Sequence, residues 1–382
     1  MSEVLYRKYR PQSFGEIVGQ RHIVSVLQAA LSKNRVSHAY LFSGPRGTGK
    51  TTVARIFARA VNCANSASAS GGVAELSVRR SPQDEGGFPI PCNQCEICKE
   101  FLSGKTLDLI EIDAASSRGI DEIRSLREGV NVLPFKSKYK VYIIDEVHML
   151  TAEAFNALLK TLEEPPAHVI FILATTEIDK IPETIISRAQ HFEFRLIGEE
   201  ELQSALAHIV AEEGLKAEVE ALGLIATLAE GSLRDAQSIL DQALVYASSG
   251  VILRDDVAEI FGIPSRELLE KLTLAFLEKD TPTALKSIHK ASEANKDMKA
   301  FFKLLIRNFR FLMYLKLDLN YEKELQKFLA PDELAFMKAT RDKFELKEFE
   351  SVLNQLHASY AFLKISYLPQ LPLELAALKI TS

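Results

Sequence analysis

Gly44-Pro45-Arg46-Gly47-Thr48-Gly49-Lys50-Thr51 fits the pattern GxxxxGK[ST]. The stretch follows an apolar run, His38 to Phe42, and opens a helical pattern from Thr52 to Ala60. Strand, loop and helix in that order are the context in which this pattern cradles phosphates. The glycines let the backbone turn successive N–H groups toward phosphate oxygens, and the helix opening at Lys50 adds its positive dipole end. Lys50 is expected to reach the β- and γ-phosphates, and Thr51 to hold Mg²⁺ through its hydroxyl, with Thr52 next in line. A glycine-rich turn meeting the pattern by chance is the plainer reading, and the flanking strand and helix weigh against it.

Further along, Lys136-Ser137-Lys138-Tyr139-Lys140 turns into an apolar strand, Val141-Tyr142-Ile143-Ile144, that ends in Asp145-Glu146. Ligands of parallel sheets bind at the carboxyl ends of strands, where these acids fall. Asp145 is expected to bind Mg²⁺ through its water shell, and Glu146 to orient and polarise the attacking water. An apolar strand followed by Asp-Glu is weak evidence alone and strong about a hundred residues after a P-loop. His148 reads as a packing or hydrogen-bonding neighbour rather than a catalyst. Val169 to Leu173 reads as another buried strand, leading into Ala174-Thr175-Thr176; at that tip a threonine faces the γ-phosphate or serves ordinary turn chemistry.

The four cysteines fall as Cys63-x28-Cys92-x2-Cys95-x2-Cys98. The first residues, Met1 to Gln20, are polar and basic and do not read as a secretory signal, so this spacing argues for metal rather than disulfides. Four thiolates suit a closed, structural, tetrahedral Zn²⁺ site; four free thiols in a reducing cytoplasm are the alternative. The segment between Cys63 and Cys92 is polar and proline-rich, and a surface excursion is expected there.

Composition sets the outer bounds. The 382 residues are 47% hydrophobic and 25% charged, which fits two or three globular domains. No apolar run reaches membrane-spanning length. The net charge of −5 does not favour nucleic acid, although a local basic face is compatible with it. Before the P-loop, Tyr6-Arg7-Lys8-Tyr9-Arg10-Pro11 is expected to be an extended strap, because Pro11 moves Arg10 out of helical geometry. Phe14 to Gln20 follows, where Ile17 and Val18 either cover an adenine or pack on the core, and then a helix from Arg21 to Ser32. A helix is expected over Arg118 to Val130. From Gly198 onward the pattern is helical throughout, with Ser232 as an N-cap in Gly231-Ser232-Leu233-Arg234-Asp235. Near the end, Phe301, Phe302, Leu305, Phe309 and Leu312 line one helix face, and Lys303, Arg307 and Arg310 the other, read as a solvated face.

These motifs in this order resemble the bacterial clamp-loader ATPase family, DNA polymerase III gamma/tau, within the AAA+ class. Tyr9-Arg10-Pro11, Val18-Gly19-Gln20, Asp145-Glu146-Val147-His148-Met149-Leu150 and Phe155 to Pro166 carry the resemblance, as does the Cys cluster, which many AAA+ proteins lack. The match is dense from about residue 5 to 245. It implies an α/β fold: an AAA+ P-loop NTPase domain over 1–197 with a parallel sheet and a zinc knuckle inserted at about 62–104. A helical lid over 198–262 and an all-α collar over 263–382 follow. It further implies that Thr175 or Thr176 senses the γ-phosphate and that Arg188 is an arginine finger reaching a neighbouring subunit's nucleotide. Arg234 would be a second sensor on the lid helix. ATP, Mg²⁺ and Zn²⁺ are the implied ligands. The implied partners are other clamp-loader subunits in a hetero-oligomeric ring, the sliding clamp and the backbone of primed DNA, in the cytoplasm. Arg118, Arg124 and Arg127 are candidates for that backbone contact, against the plainer reading of a solvated helix face. Three departures stand out: Ala189 follows Arg188 where the family has Cys, the Cys63–Cys92 gap is long, and the chain ends at Ser382, like the short gamma form or a tau lacking its tail. The alternatives are another AAA+ motor, such as one for branch migration, and a non-catalytic ring subunit. The Cys cluster and the Gly-Ser-Leu-Arg-Asp motif oppose the first, and intact Lys50, Thr51, Asp145 and Glu146 oppose the second.

Overall fold

In the computed structural model the described residues are 3–65, 91–116, 126–246, 250–326 and 329–382. Five strands build one parallel sheet: β1 (Ala39–Ser43), β2 (Leu109–Asp113), β3 (Lys140–Asp145), β4 (Val169–Thr175) and β5 (Gln190–Glu193). Their order across the sheet is β2-β3-β4-β1-β5. All residues of β1 and β4 are buried, as expected of central strands covered on both faces. Alternation then divides the apolar side chains between two cores. Tyr40, Phe42, Ile143, Ile170 and Ile172 pack with the helices Arg21–Ser32 and Lys50–Asn62. Leu41, Tyr142, Ile144, Phe171 and Leu173 pack with Phe155, Leu158 and Leu162 of the helix Ala152–Glu163.

Register places the chemistry at one end of the sheet. Ser43 at the tip of β1 pairs with Thr175 at the tip of β4 and with Glu193 in β5. Asp113 of β2 pairs with Asp145 of β3, and Ile144 with Leu173. The helix after β3 begins where Thr151 Oγ1 accepts from the Ala154 N–H at 3.3 Å, and it stops before Pro165. The strap expected to be extended is instead a helical turn over Leu5–Lys8, anchored by buried Leu5; Pro11 affects only the residues just before it. Of the helix expected over Arg118 to Val130, residues 126–130 are helical and the rest lies outside the described residues.

By internal packing the chain gathers into two compact units, 1–201 with 231–235, and 202–230 with 236–382. Among its described residues the second unit is built of helices and one short parallel pair, β6 (Lys216–Ala217) with β7 (Val251–Ile252). The helix Met298–Leu317 buries Phe301, Phe302, Leu305, Phe309 and Leu312, as its periodicity requires. The opposite face is only partly the solvated one expected. Arg310, 5.4 Å over the Tyr314 ring, is exposed, but Lys303 pairs with Glu230, and Arg307 pairs with Glu333 at 2.8 Å with both side chains largely buried. Glu333 belongs to the helix Pro331–Lys343, which packs against this face; a charge removed from water needs such a partner.

Candidate active site

The loop Gly44–Gly49 leaves β1 and enters the helix Lys50–Asn62. Gly44 N–H donates to the Thr175 carbonyl at 3.2 Å, fastening the loop to the tip of β4. Thr48 Oγ1 closes the turn by donating to the Pro45 carbonyl at 2.8 Å. Lys50 is buried, and its ammonium donates to the carbonyls of Gly44 (2.7 Å) and Pro45 (2.9 Å). Burial holds its pKa below the ordinary lysine value, and the carboxylates of Glu146 and Asp145 oppose that shift. An ammonium has three donors, so these two bonds leave capacity for an anion in the loop. Pro45 and Arg46 are exposed, and Thr52 is half-buried on the next turn.

Gly47 has a φ of +76°, and its carbonyl accepts from Leu233 N–H at 3.1 Å. A Cβ there would lie 1.9 Å from Ser232 Oγ. The Ser232 hydroxyl also accepts from Asp235 N–H at 3.2 Å, the N-cap expected for this helix. The glycine therefore serves the approach of residues 232–233 as well as the turn. Gly47→Ala is expected to cost about 1–3 kcal/mol through the strained φ and the clash. Denaturant unfolding checks this, with Ser232→Gly in the same chain recovering only the clash.

Thr51 Oγ1 donates to Asp145 Oδ2 at 2.7 Å, so the hydroxyl and carboxylate expected to share Mg²⁺ are already adjacent. They are hard oxygen donors, which suits that ion with substrate phosphates and water completing the octahedron. Glu146 sits at φ +48°, a left-handed conformation uncommon outside glycine, and this turns its side chain to the tip of β4. Its Oε2 accepts from Thr176 Oγ1 (2.9 Å) and Thr176 N–H (3.3 Å). Thr175 is fully buried, and its Oγ1 lies 3.0 Å from His148 Nδ1. Thr176 thus bonds the Glu146 carboxylate, and Thr175 lies on His148, which acts as the hydrogen-bonding neighbour expected of it.

Arg188 Nη1 donates to the Thr184 carbonyl (2.9 Å) and Ser187 Oγ (3.3 Å), and its Nη2 to Glu163 Oε1 (2.8 Å). None of these partners belongs to the P-loop. Arg234 lies 5.0 Å over the Tyr6 ring and, with Arg7, Arg10, Arg55 and Thr52, lines a cavity of about 780 Å³. Burial, then Arg55, pushes the Arg10 guanidinium below its ordinary pKa; Arg234 and Arg7 add to this, while Glu111 opposes it. Glu3 and Glu111 line the same cavity, and Glu111 is paired with Arg55. Val18 is half-buried in the strap, while Ile17 packs on the core. The strap is held by Gln20, whose amide donates to the Arg195 carbonyl (2.6 Å) and accepts from Arg195 N–H (3.1 Å). Arg10 and Gln20 lie in the stretches Tyr9-Arg10-Pro11 and Val18-Gly19-Gln20 that carry the resemblance, but reading the sequence assigns neither a role at the site.

The sulfurs of Cys63, Cys92, Cys95 and Cys98 lie within 4.8 Å of one another. Cys92 and Cys98 Sγ are 3.9 Å apart, near the edge of about 3.8 Å that a tetrahedron with Zn–S of about 2.3 Å requires. Backbone N–H groups of Cys92, Cys95 and Cys98 point at the sulfurs of Cys63 (3.4 Å), Cys92 (3.3 Å) and Cys95 (3.4 Å). The hydrogen bond with Cys98 draws the Cys63 thiol down to about 5, and Cys98 rises correspondingly. Buried Arg59, one helical turn before Cys63, brings positive charge toward the sulfurs and was not foreseen. The donor set fits Zn²⁺. Metal analysis of freshly purified protein is expected to find about one zinc per chain, lost with Cys95→Ser. Four freely titrating thiols with no metal would count against it.

Among the described residues no helix is long and apolar enough to cross a membrane. Arg127 is exposed at the surface, and Arg118 and Arg124 lie outside the described residues.

A family profile described as DNA polymerase III, delta subunit, matches residues 19–197, and one described as DNA polymerase III clamp loader subunit, ATPase lid domain, matches 201–249. The chain is similar to DNA polymerase III subunit tau of Bacillus subtilis (strain 168), with 43% identity over 379 residues, covering 99% of this chain and 63% of that protein. It is similar to DNA polymerase III subunit gamma of Buchnera aphidicola subsp. Schizaphis graminum (strain Sg), with 40% identity over 321 residues, covering 84% and 82%. Among solved structures, the Thermotoga maritima RuvB Holliday junction branch migration motor aligns over 71% of this chain and 80% of its own, at 19% identity and a TM-score of 0.46. The chain spans less than two thirds of the tau protein's length.

Proposed function

We propose, from the premise that this chain belongs to the DNA polymerase III gamma/tau family, that it is an ATP-driven motor subunit of a clamp loader. It binds and hydrolyses ATP to open a sliding clamp and load it on primed DNA. The observation that carries this reading is the convergence of Lys50, Thr51, Asp145, Glu146 and Thr176 at the ends of β1, β3 and β4. The residue types and hydrogen bonds support the following roles. Gly44 and Pro45 start the loop, and the backbone N–H groups of Arg46–Thr52 with the Lys50 ammonium hold the phosphates. Thr51 and Asp145 would hold Mg²⁺, which when bound offsets phosphate charge. Glu146 orients the attacking water and accepts its proton on a carboxylate oxygen. Thr175 contacts the γ-phosphate, and Thr176 positions Glu146. Val18 and Arg234 flank the nucleotide, and Arg188 acts on the nucleotide of a neighbouring subunit.

The proposed layout is a nucleotide-binding domain over 1–197, a lid over 198–262 and a collar over 263–382 that holds subunits in a ring. Arg118, Arg124 and Arg127 are the proposed contacts to the DNA backbone, and the cytoplasm is the proposed compartment. Zinc at the four cysteines would be structural. A branch-migration motor is the second reading; the lid-domain match and the Cys cluster support the clamp loader over it.

The test is the ATPase rate of the purified chain, alone and with the other clamp-loader subunits, with and without clamp and primed DNA. A low basal rate that rises steeply only when clamp and primed DNA are both present is expected. A rate indifferent to the clamp would overturn the reading.

A further inference from the structure

Thr175, His148 and Glu177 close a ring of polar contacts beside the proposed base. Glu177 N–H donates to Thr175 Oγ1 at 3.0 Å, Thr175 Oγ1 lies 3.0 Å from His148 Nδ1, and His148 Nε2 lies 3.3 Å from Glu177 Oε1. The His148 side chain is only 5% exposed, and its Nδ1 is also 3.4 Å from Glu146 Oε2. The second oxygen of Glu177 is held by Lys180 at 2.9 Å. The histidine is therefore seated by groups of known hydrogen-bonding character.

That character fixes the tautomer. An ionised carboxylate only accepts, so the ring nitrogen facing Glu177 carries the proton. In a neutral imidazole the other nitrogen, Nδ1, is then an acceptor. Nδ1 faces Thr175 Oγ1 at 3.0 Å and Glu146 Oε2 at 3.4 Å; Glu146 Oε2 already accepts two hydrogen bonds from Thr176, so in the neutral ring Nδ1 takes its hydrogen bond from the nearer Thr175 hydroxyl. A threonine whose hydroxyl hydrogen is committed to His148 cannot also donate it to a phosphate. We propose that His148, held in one tautomer by Glu177, is a positioning residue that sets the direction of the Thr175 hydroxyl and so restrains recognition of the γ-phosphate. The inference rests on the reading of Thr175 as the γ-phosphate contact. When Thr175 turns to a phosphate, Nδ1 is released beside Glu146. Phosphate recognition and base orientation thereby share one side chain.

The experiment measures the ratio of ADP to ATP dissociation constants for the full chain carrying Thr175→Val, His148→Leu, Glu177→Gln, or the first two together. Thr175→Val is expected to lower the preference for ATP. His148→Leu is expected to raise it roughly two- to tenfold, the worth of one hydrogen bond released, and to do nothing further once Thr175 is valine. Glu177→Gln changes a half-exposed side chain without touching the core. It removes the demand for a proton on Nε2, and its ratio is expected to move in the same direction as that of His148→Leu. Ring ¹⁵N shifts of His148 provide an independent readout, expected to report Nε2–H in the native chain and loss of that fixed tautomer in Glu177→Gln. If Thr175→Val lowers the preference while His148→Leu and Glu177→Gln both leave it unchanged, His148 only fills space and the proposal fails. If Thr175→Val itself changes nothing, the phosphate-contact reading fails, and the proposal with it.

Discussion

Glu146→Gln is expected to lower ATP turnover by about 10²–10⁴-fold while leaving ATP affinity near the native value. The amide keeps the size of the side chain and can still accept from Thr176, whose hydroxyl and N–H bond Glu146 Oε2. What it loses is the negative charge that the proposed role as base requires. The left-handed backbone at Glu146, φ +48°, aims whichever side chain is there at the tip of β4, so the substitution tests chemistry rather than folding. Single-turnover hydrolysis with equilibrium nucleotide binding separates the two quantities. Unchanged turnover would remove Glu146 as the base, and lost binding would mean that its charge serves the metal site instead.

Arg188→Ala is expected to spare nucleotide binding by the isolated chain and to reduce ATPase activity of the assembled ring by about 10³–10⁵-fold. The reasoning is geometric. The guanidinium is bound to Thr184, Ser187 and Glu163, and it stands about one-third exposed, so its own subunit's P-loop does not use it. An exposed arginine paired with a single half-exposed carboxylate gives up that pair cheaply, because such surface pairs contribute only about 0–1 kcal/mol. Mixing Arg188→Ala chains with active-site-defective chains provides the check. Activity of the mixture depends on which subunit contributes the arginine only if the residue acts on a neighbour. Loss of nucleotide binding by the isolated variant would contradict this.

Most of the candidate site's geometry was legible because it lies on elements whose sequence signals are local. The P-loop is eight consecutive residues between a strand and a helix, and Asp145-Glu146 is the end of an apolar strand. The pairing of Thr51 with Asp145 was legible in kind, since both were assigned to one ion. The parts that escaped depend on contacts distant in sequence. Gln20 bonds Arg195 across 175 positions, and no local pattern distinguishes it from a solvent-facing glutamine. His148 acquires its importance from Thr175 and Glu177 on β4 and the turn after it. Arg307 was assigned to water because its own helix face is basic; Glu333, from another helix, makes it an internal pair. The strap failed for a different reason. Pro11 restrains only its immediate predecessor, and burial of Leu5 was free to wind the preceding residues into a turn.

The Cys63–Cys92 contact has a consequence for chain length. Cys92 N–H reaches Cys63 Sγ, so the two ends of the intervening 28 residues meet at one point. The closure entropy of chain held by its two ends grows only as the logarithm of its length, about 0.6 kcal/mol for each doubling. Changing the number of residues between Cys63 and Cys92 is therefore expected to add little closure entropy. By the same token, a tag spliced between Cys63 and Cys92 that doubles their spacing is expected to cost about 0.6 kcal/mol in closure entropy.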